Sequence, residues 1–151
     1  MTSGERAPAF TAFTPNGQPV TLDGLNARRV LLFFYPKDSS LGCSMEARAF
    51  QQRLTDFDAL GVTVVGASTG NPASQASFRE KCDLSFPLVS DPDRSVAKSY
   101  GVLGGLTGLL GLTSRTSFLI GKDGRVEKVY GGVNPSNHAQ QVLDELKKLP
   151  A

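Results

Sequence analysis

Apolar positions along this chain recur with two different periods, and the switches between them mark out its elements. Val30–Tyr35 (VLLFFY) is an unbroken apolar run closed by Pro36, the pattern of a strand buried on both faces. From Ser44 the spacing lengthens. Ala47, Phe50, Leu54, Phe57 and Leu60 fall three or four apart and Gly61 follows, which predicts one continuous amphipathic helix. Val62–Ala67 (VTVVGA) returns to the buried-strand pattern. Asn71-Pro72 then supplies an N-cap and a first-turn proline for a helix running to about Cys82. Phe86–Ser90 predicts a short strand whose Pro87 suits an edge or a leading position. Asp91-Pro92 repeats the cap-plus-proline signal for a helix ending at Gly101. Ala9–Phe13 and Gln18–Leu22 flank Pro15-Asn16-Gly17 as a hairpin, and Thr116–Ile120 and Val126–Val129 flank Gly121-Lys122-Asp123-Gly124 as another. A last helix carries Ala139, Val142, Leu143, Leu146 and Leu149 on one face.

Strand–helix alternation followed by a hairpin and a final helix predicts an α/β fold, a central mixed sheet flanked by helices with an N-terminal hairpin. The thioredoxin fold is the simplest architecture with this order. At 151 residues, with no internal repeat, low-complexity tract or linker, residues 1–151 read as a single domain.

Composition narrows the function. The chain is 40% hydrophobic and 20% charged with a formal net charge of +2, the profile of an ordinary globular domain. Its charges are scattered, with no basic block for nucleic acid and no polybasic amphipathic stretch for a membrane surface. The first residues, MTSGERAPAF, lack the apolar core of a secretory signal, and Val102–Leu112 is too short and glycine-rich for a membrane span. A cytoplasmic protein is expected. There, its two cysteines do not make a disulfide scaffold of the secreted kind, and with the single histidine, His138, they make a poor zinc site. Redox chemistry or inert burial remains for each sulfur.

Cys43 falls between a buried strand and an amphipathic helix, hence in that helix's first turn. An unperturbed thiol is mostly protonated at neutral pH, and the unpaired N–H groups and dipole of a helix N-terminus favour its anion, the reactive form. Ser40, three residues earlier, is placed to aim a hydroxyl at the sulfur or at a bound peroxide oxygen, and equally fits the helix N-cap. Pro36 is placed to wall the site against water, or simply ends its strand. A distant arginine would complete such a site by holding charge on sulfur and on the polarised O–O bond.

At these residues the chain resembles the peroxiredoxins, and within them the bacterioferritin comigratory protein or peroxiredoxin Q branch. The family signature of proline, three residues, threonine or serine, two residues and cysteine stands here as Pro36-Lys37-Asp38-Ser39-Ser40-Leu41-Gly42-Cys43. The flanking LLFFY and SMEARAF, then Phe86–Asp91, Arg115–Ile120 and Asn137-His138-Ala139, match further landmarks in order over nearly the whole chain. The resemblance implies a cofactor-free thiol peroxidase for hydrogen peroxide and organic hydroperoxides. Cys43 would be the peroxidatic cysteine, Ser40 would hydrogen-bond the peroxide, Pro36 would shield the sulfenate, Arg115 would stabilise the thiolate and the transition state, and Glu46 would orient that arginine or a neighbouring one. It further implies that Cys82 resolves the sulfenate as an intramolecular disulfide, that a thioredoxin-like donor restores both thiols, and that the protein works as a monomer.

The chain departs from the family at three places. Leu41 replaces a proline common before Gly-Cys, Arg48 stands where many members keep a resolving cysteine, and Gly104–Leu112 replaces a more polar segment. Bland readings stand beside the sharp ones. Cys82 also fits the apolar face of its helix, Arg115 a surface strand start, Glu46 a generic first-turn acid, and His138 a cap or surface residue. Gly104–Leu112 fits an apolar lid or an association patch. The competing functions are a one-cysteine peroxidase resolved by an external thiol and a non-enzymatic holdase or adaptor. A thioredoxin-like disulfide oxidoreductase needs a second cysteine that Cys43-Ser44-Met45-Glu46 lacks.

Overall fold

The computed structural model describes residues 1–25, 27–38, 40–103 and 112–149. All of Gly104–Leu112 except Leu112 lies outside them. The elements run β1 (Thr11–Phe13), β2 (Pro19–Thr21), α1 (Leu22–Leu25), β3 (Arg29–Phe34), α2 (Leu41–Gln52), α3 (Leu54–Ala59), β4 (Val62–Ser68), α4 (Pro72–Cys82), β5 (Leu88–Ser90), α5 (Ser95–Ser99), β6 (Thr116–Ile120), β7 (Val126–Tyr130) and α6 (His138–Leu146). The strands form one mixed sheet in the order β2-β1-β5-β4-β3-β6-β7. β3, β4 and β5 pair in parallel, while β6 runs antiparallel to β3 and β7 to β6. The N-terminal hairpin joins the sheet through β1, where Phe13 pairs with Ser90.

The continuous apolar run of β3 explains the layering. Its alternate side chains feed two cores, Leu31, Phe33 and Tyr35 on one face and Val30, Leu32 and Phe34 on the other. The first face is covered by α2, α3, α4 and α6, through Ala47, Phe50, Phe57, Phe78, Val142 and Leu143. The second is covered by α1, α5 and the N-terminal segment, through Leu22, Val96, Ala97 and Phe10. Among the described residues no helix is long and apolar enough to cross a membrane.

Three helices differ from the sequence reading. The one signalled by Asp91-Pro92 starts only at Ser95, with Arg94 as its N-cap, while the Asp91 carboxylate reaches past the turn to accept from Val96 N and Ala97 N. The stretch predicted as one helix is broken at Arg53, whose N–H bonds to Phe50 O at 3.1 Å. Ala49 O accepts instead from the Arg53 guanidinium at 3.0 Å. The side chain has displaced its own backbone from the i−4 acceptor, and the helix restarts at Leu54. The final helix stops at Leu146, leaving Leu149 40% exposed rather than on the buried face. Pro87 takes the leading position before β5, which lies between β4 and β1 and is not an edge strand.

Candidate active site

The loop leaving β3 turns into α2 through Ser40, whose extended backbone makes it the N-cap. Its Oγ accepts from Cys43 N at 3.2 Å and donates to Lys37 O at 3.4 Å, while its carbonyl accepts from Ser44 N at 3.0 Å. The cap therefore fixes the turn that presents Cys43, which is fully buried. The antiparallel pairing of β3 with β6 sets Phe34 opposite Thr116. The residue before Thr116 is thus delivered to the same sheet end from which the Cys43 loop departs. That residue is Arg115. Its Nη2 lies 3.5 Å from Cys43 Sγ, and its Nη1 donates to Glu46 Oε1 at 2.9 Å. Gly42 leaves room for this approach: a Cβ there would lie 3.1 Å from Arg115 Nη2, close enough that the guanidinium would have to give by a few tenths of an ångström.

One guanidinium thus spans a thiol and a carboxyl. Glu46 has only 1% of its side chain exposed, and its Oε2 has no hydrogen-bond partner. Burial pushes its carboxyl up to about 7, although Arg115 pulls the other way. Burial works against the charge on Arg115, but Cys43 and Glu46 outweigh it and its pKa is raised. The cation is therefore permanent, aimed at sulfur and braced from behind, the arrangement that stabilises a sulfur anion and charge developing beside it.

His138 is the first residue of α6. It follows the N-cap Asn137 and is buried, not at the surface, packing edge-on against Phe50 and Tyr130 at ring distances of 5.7 and 5.2 Å. Its Nε2 bonds to Ser117 Oγ at 2.8 Å. Burial lowers its pKa to about 4, with Gln141 opposing and Arg115 adding to the shift, so the ring is neutral at physiological pH.

The chain matches the AhpC/TSA family over residues 3–129. It belongs to that family. It is 36% identical over 152 residues to peroxiredoxin Bcp of Escherichia coli, covering 98% of this chain and 97% of that one. Among solved structures it superposes on peroxidoxin BcpB of Mycobacterium tuberculosis with a TM-score of 0.91 at 33% identity, covering 100% and 99% of the two chains. The bacterioferritin comigratory protein of Xanthomonas campestris, solved as a trapped intermediate/ligand complex for alkyl peroxide reduction, gives a TM-score of 0.88 at 28% identity over 97% and 98%. The resemblance to the bacterioferritin comigratory branch therefore holds, and this peroxiredoxin is a thiol-dependent peroxidase with a thioredoxin-like fold.

Of the residues singled out in the sequence, the peroxiredoxin fold brings Ser40, Cys43, Glu46 and Arg115 into one hydrogen-bonded cluster. Pro36, at the start of the loop that leads to Cys43, lines a cavity of about 490 Å³ between that loop and α4. Cys82 is the last residue of α4, 6% exposed, in the same apolar core as Cys43, and both sulfurs are free thiols. After it Asp83 adopts a left-handed conformation (φ 53°), its N–H bonding to Glu80 O and that of Leu84 to Arg79 O in a Schellman arrangement. Sequence reasoning missed Asp38. It is 8% exposed, with Oδ1 accepting from Ser68 at 2.8 Å and Oδ2 from Ser74 at 2.7 Å. An aspartate two residues after a proline reads as a turn residue, and nothing local signals that its carboxylate is buried.

Proposed function

We propose that Cys43 is the peroxidatic thiolate and that Cys82 resolves it. The observation that carries this reading is the shared guanidinium, 3.5 Å from the sulfur and anchored on Glu46 at 2.9 Å. The Cys43 thiolate attacks one oxygen of ROOH, the O–O bond breaks, and RO⁻ leaves to take up a proton as ROH. Sulfur is oxidised to Cys43–SOH and the peroxide is reduced to the alcohol, or to water when R is hydrogen. Arg115 stabilises the negative charge as it moves from sulfur to the departing oxygen. Ser40 orients the peroxide from the N-cap position, Glu46 braces the arginine, and Pro36 shields the sulfenate from the loop side. The Cys82 thiol then condenses with the sulfenic acid, forming a disulfide and releasing water.

A thioredoxin-like dithiol returns both sulfurs to thiols by exchange, so the working unit is one domain acting as a monomer without a cofactor. Both thiols are free and each sits at a helix end, Cys43 in the first turn of α2 and Cys82 in the last turn of α4. Disulfide formation requires Cα atoms about 4.4–6.8 Å apart with their Cβ vectors converging, and residues on two packed helices need not face each other, so in this reading one or both helix ends unwind to bring the sulfurs together. Helix ends open at little cost, since few hydrogen bonds are lost there.

The test is one equivalent of hydrogen peroxide on the reduced protein, followed by non-reducing peptide mapping. A Cys43–Cys82 cross-linked peptide is expected, with no peroxide consumption by Cys43→Ser. Sulfenic or sulfinic acid on Cys43 beside a free Cys82 thiol would assign resolution to an external thiol. Sustained turnover by Cys43→Ser would remove Cys43 from the chemistry.

A further inference from the structure

Asp38 lies in the loop between Pro36 and Cys43, and its carboxylate accepts from Ser68 and Ser74. Ser68, which holds Oδ1, is the last residue of β4, and Ser74, which holds Oδ2, is in the first turn of α4. The fit is close: a Cβ on Gly70 would stand 1.9 Å from Asp38 Oδ2. Gln75 extends the network, donating to Val89 O at 2.7 Å with Ser68 Oγ at 3.3 Å and Tyr35 OH at 3.4 Å. Beside these bonds the 490 Å³ cavity separates Pro36 and Lys37 of the loop from Phe78 and Lys81 of α4. At the far end of α4, Arg48 reaches Lys81 O at 3.4 Å, next to Cys82. The loop and α2 are therefore tied to α4 by polar bonds near its two ends, with open space between, and α4 is the helix that carries Cys82.

We infer that Asp38 is a latch, a positioning residue whose bonds to Ser68 and Ser74 hold the catalytic loop closed for peroxide reduction and break when Cys43 moves to meet Cys82. The inference rests on Cys82 being the resolving cysteine. Hydroxyl bonds to a buried carboxylate are stronger than neutral ones, so the closed loop dominates while both are made. The carboxylate regains water when the loop opens, so the opening stays within reach. Removing the Ser74 donor weakens the hold on the buried carboxylate in the closed state only, and that raises the open population by roughly tenfold. Because the open form is the minor one, the closed population and the attack on peroxide hardly change.

The experiment compares the full-length reduced protein with Ser74→Ala and Asp38→Asn. Amide hydrogen exchange at residues 40–44, sulfenate formation, disulfide formation after one equivalent of hydrogen peroxide, and Cys43 sulfinic acid under excess peroxide are measured by quenched mass spectrometry. In Ser74→Ala, exchange and disulfide formation should each rise about tenfold and the sulfinic fraction should fall, with sulfenate formation within twofold of wild type. Asp38→Asn should move exchange in the same direction and further. Unchanged exchange and disulfide rates overturn the latch, as does sulfenate formation that slows in proportion. Faster exchange in a protein that forms no Cys43–Cys82 disulfide supports the latch and instead removes the resolving role of Cys82.

Discussion

Arg115 has the most concentrated role of any single side chain here, because its two terminal nitrogens do different things. One faces sulfur and the other is held by a buried carboxylate. Losing one aimed donor costs other enzymes about 10²–10³ in rate, so Arg115→Ala should slow sulfenate formation by about two orders of magnitude or more. Arg115→Lys keeps the charge but a single ammonium cannot span both partners, so it should recover only part of the loss. Rapid-quench trapping of the sulfenate measures both, and rates within a few fold of wild type would return Arg115 to a surface role. How legible such residues are from sequence depends on what each one needs. Cys43 and Ser40 were readable because a helix start lies within a few residues of each. Arg115 and Glu46 were assigned only through the family resemblance, since their meeting depends on β6 pairing with β3. Asp38 and His138 escaped altogether, because a polar residue in a loop or at a helix start reads as exposed until another element buries it.

The same dependence separates the elements. The strands and both hairpins were legible from apolar runs and turn residues, which act over short distances. The break between α2 and α3 was not, because it rests on one guanidinium that reaches Ala49 O and also Gln140 of α6. The first helix of the site also sets two demands against each other. Gly42 sits in the first turn of α2, where alanine would favour the helix by up to about 1 kcal/mol. Its missing Cβ is the room into which Arg115 Nη2 fits at 3.1 Å. Gly42→Ala is therefore expected to leave the melting temperature unchanged or raised while slowing sulfenate formation, as the guanidinium is pushed off the sulfur. A variant both less stable and fully active would show that the close approach has no catalytic meaning.

Stability of the whole protein should register the two groups buried around Arg115 with opposite signs. The Glu46 carboxyl is raised by burial from 4.5 to about 7, so its contribution is fully present below about 4.5 and is lost as pH rises to about 7. The His138 ring is lowered by burial from 6.5 to about 4, so its contribution is present above about 6.5 and is lost as pH falls towards 4. Between these limits they oppose each other. Glu46→Gln removes one side and should make stability fall more steeply on acidification from pH 6.5 to 4.5. His138→Gln removes the other and should tilt the same profile the opposite way. Denaturant midpoints across that range give the slopes, and slopes identical to wild type in both variants would mean that neither group titrates abnormally.

The sheet order also has a consequence in time. Cys43 and Arg115 are 72 residues apart in sequence, and β6 is paired with β3 only after β4 and β5 have already been laid down on its other side in chain order. A chain made from its N-terminus therefore exposes the cysteine, its helix and most of the sheet before the arginine exists. The growing polypeptide carries the sulfur without the cation that reaches it. On the proposed reading, reactivity towards peroxide therefore waits for β6 to deliver Arg115, and a chain that has not yet paired β6 with β3 lacks the cation that activates its sulfur.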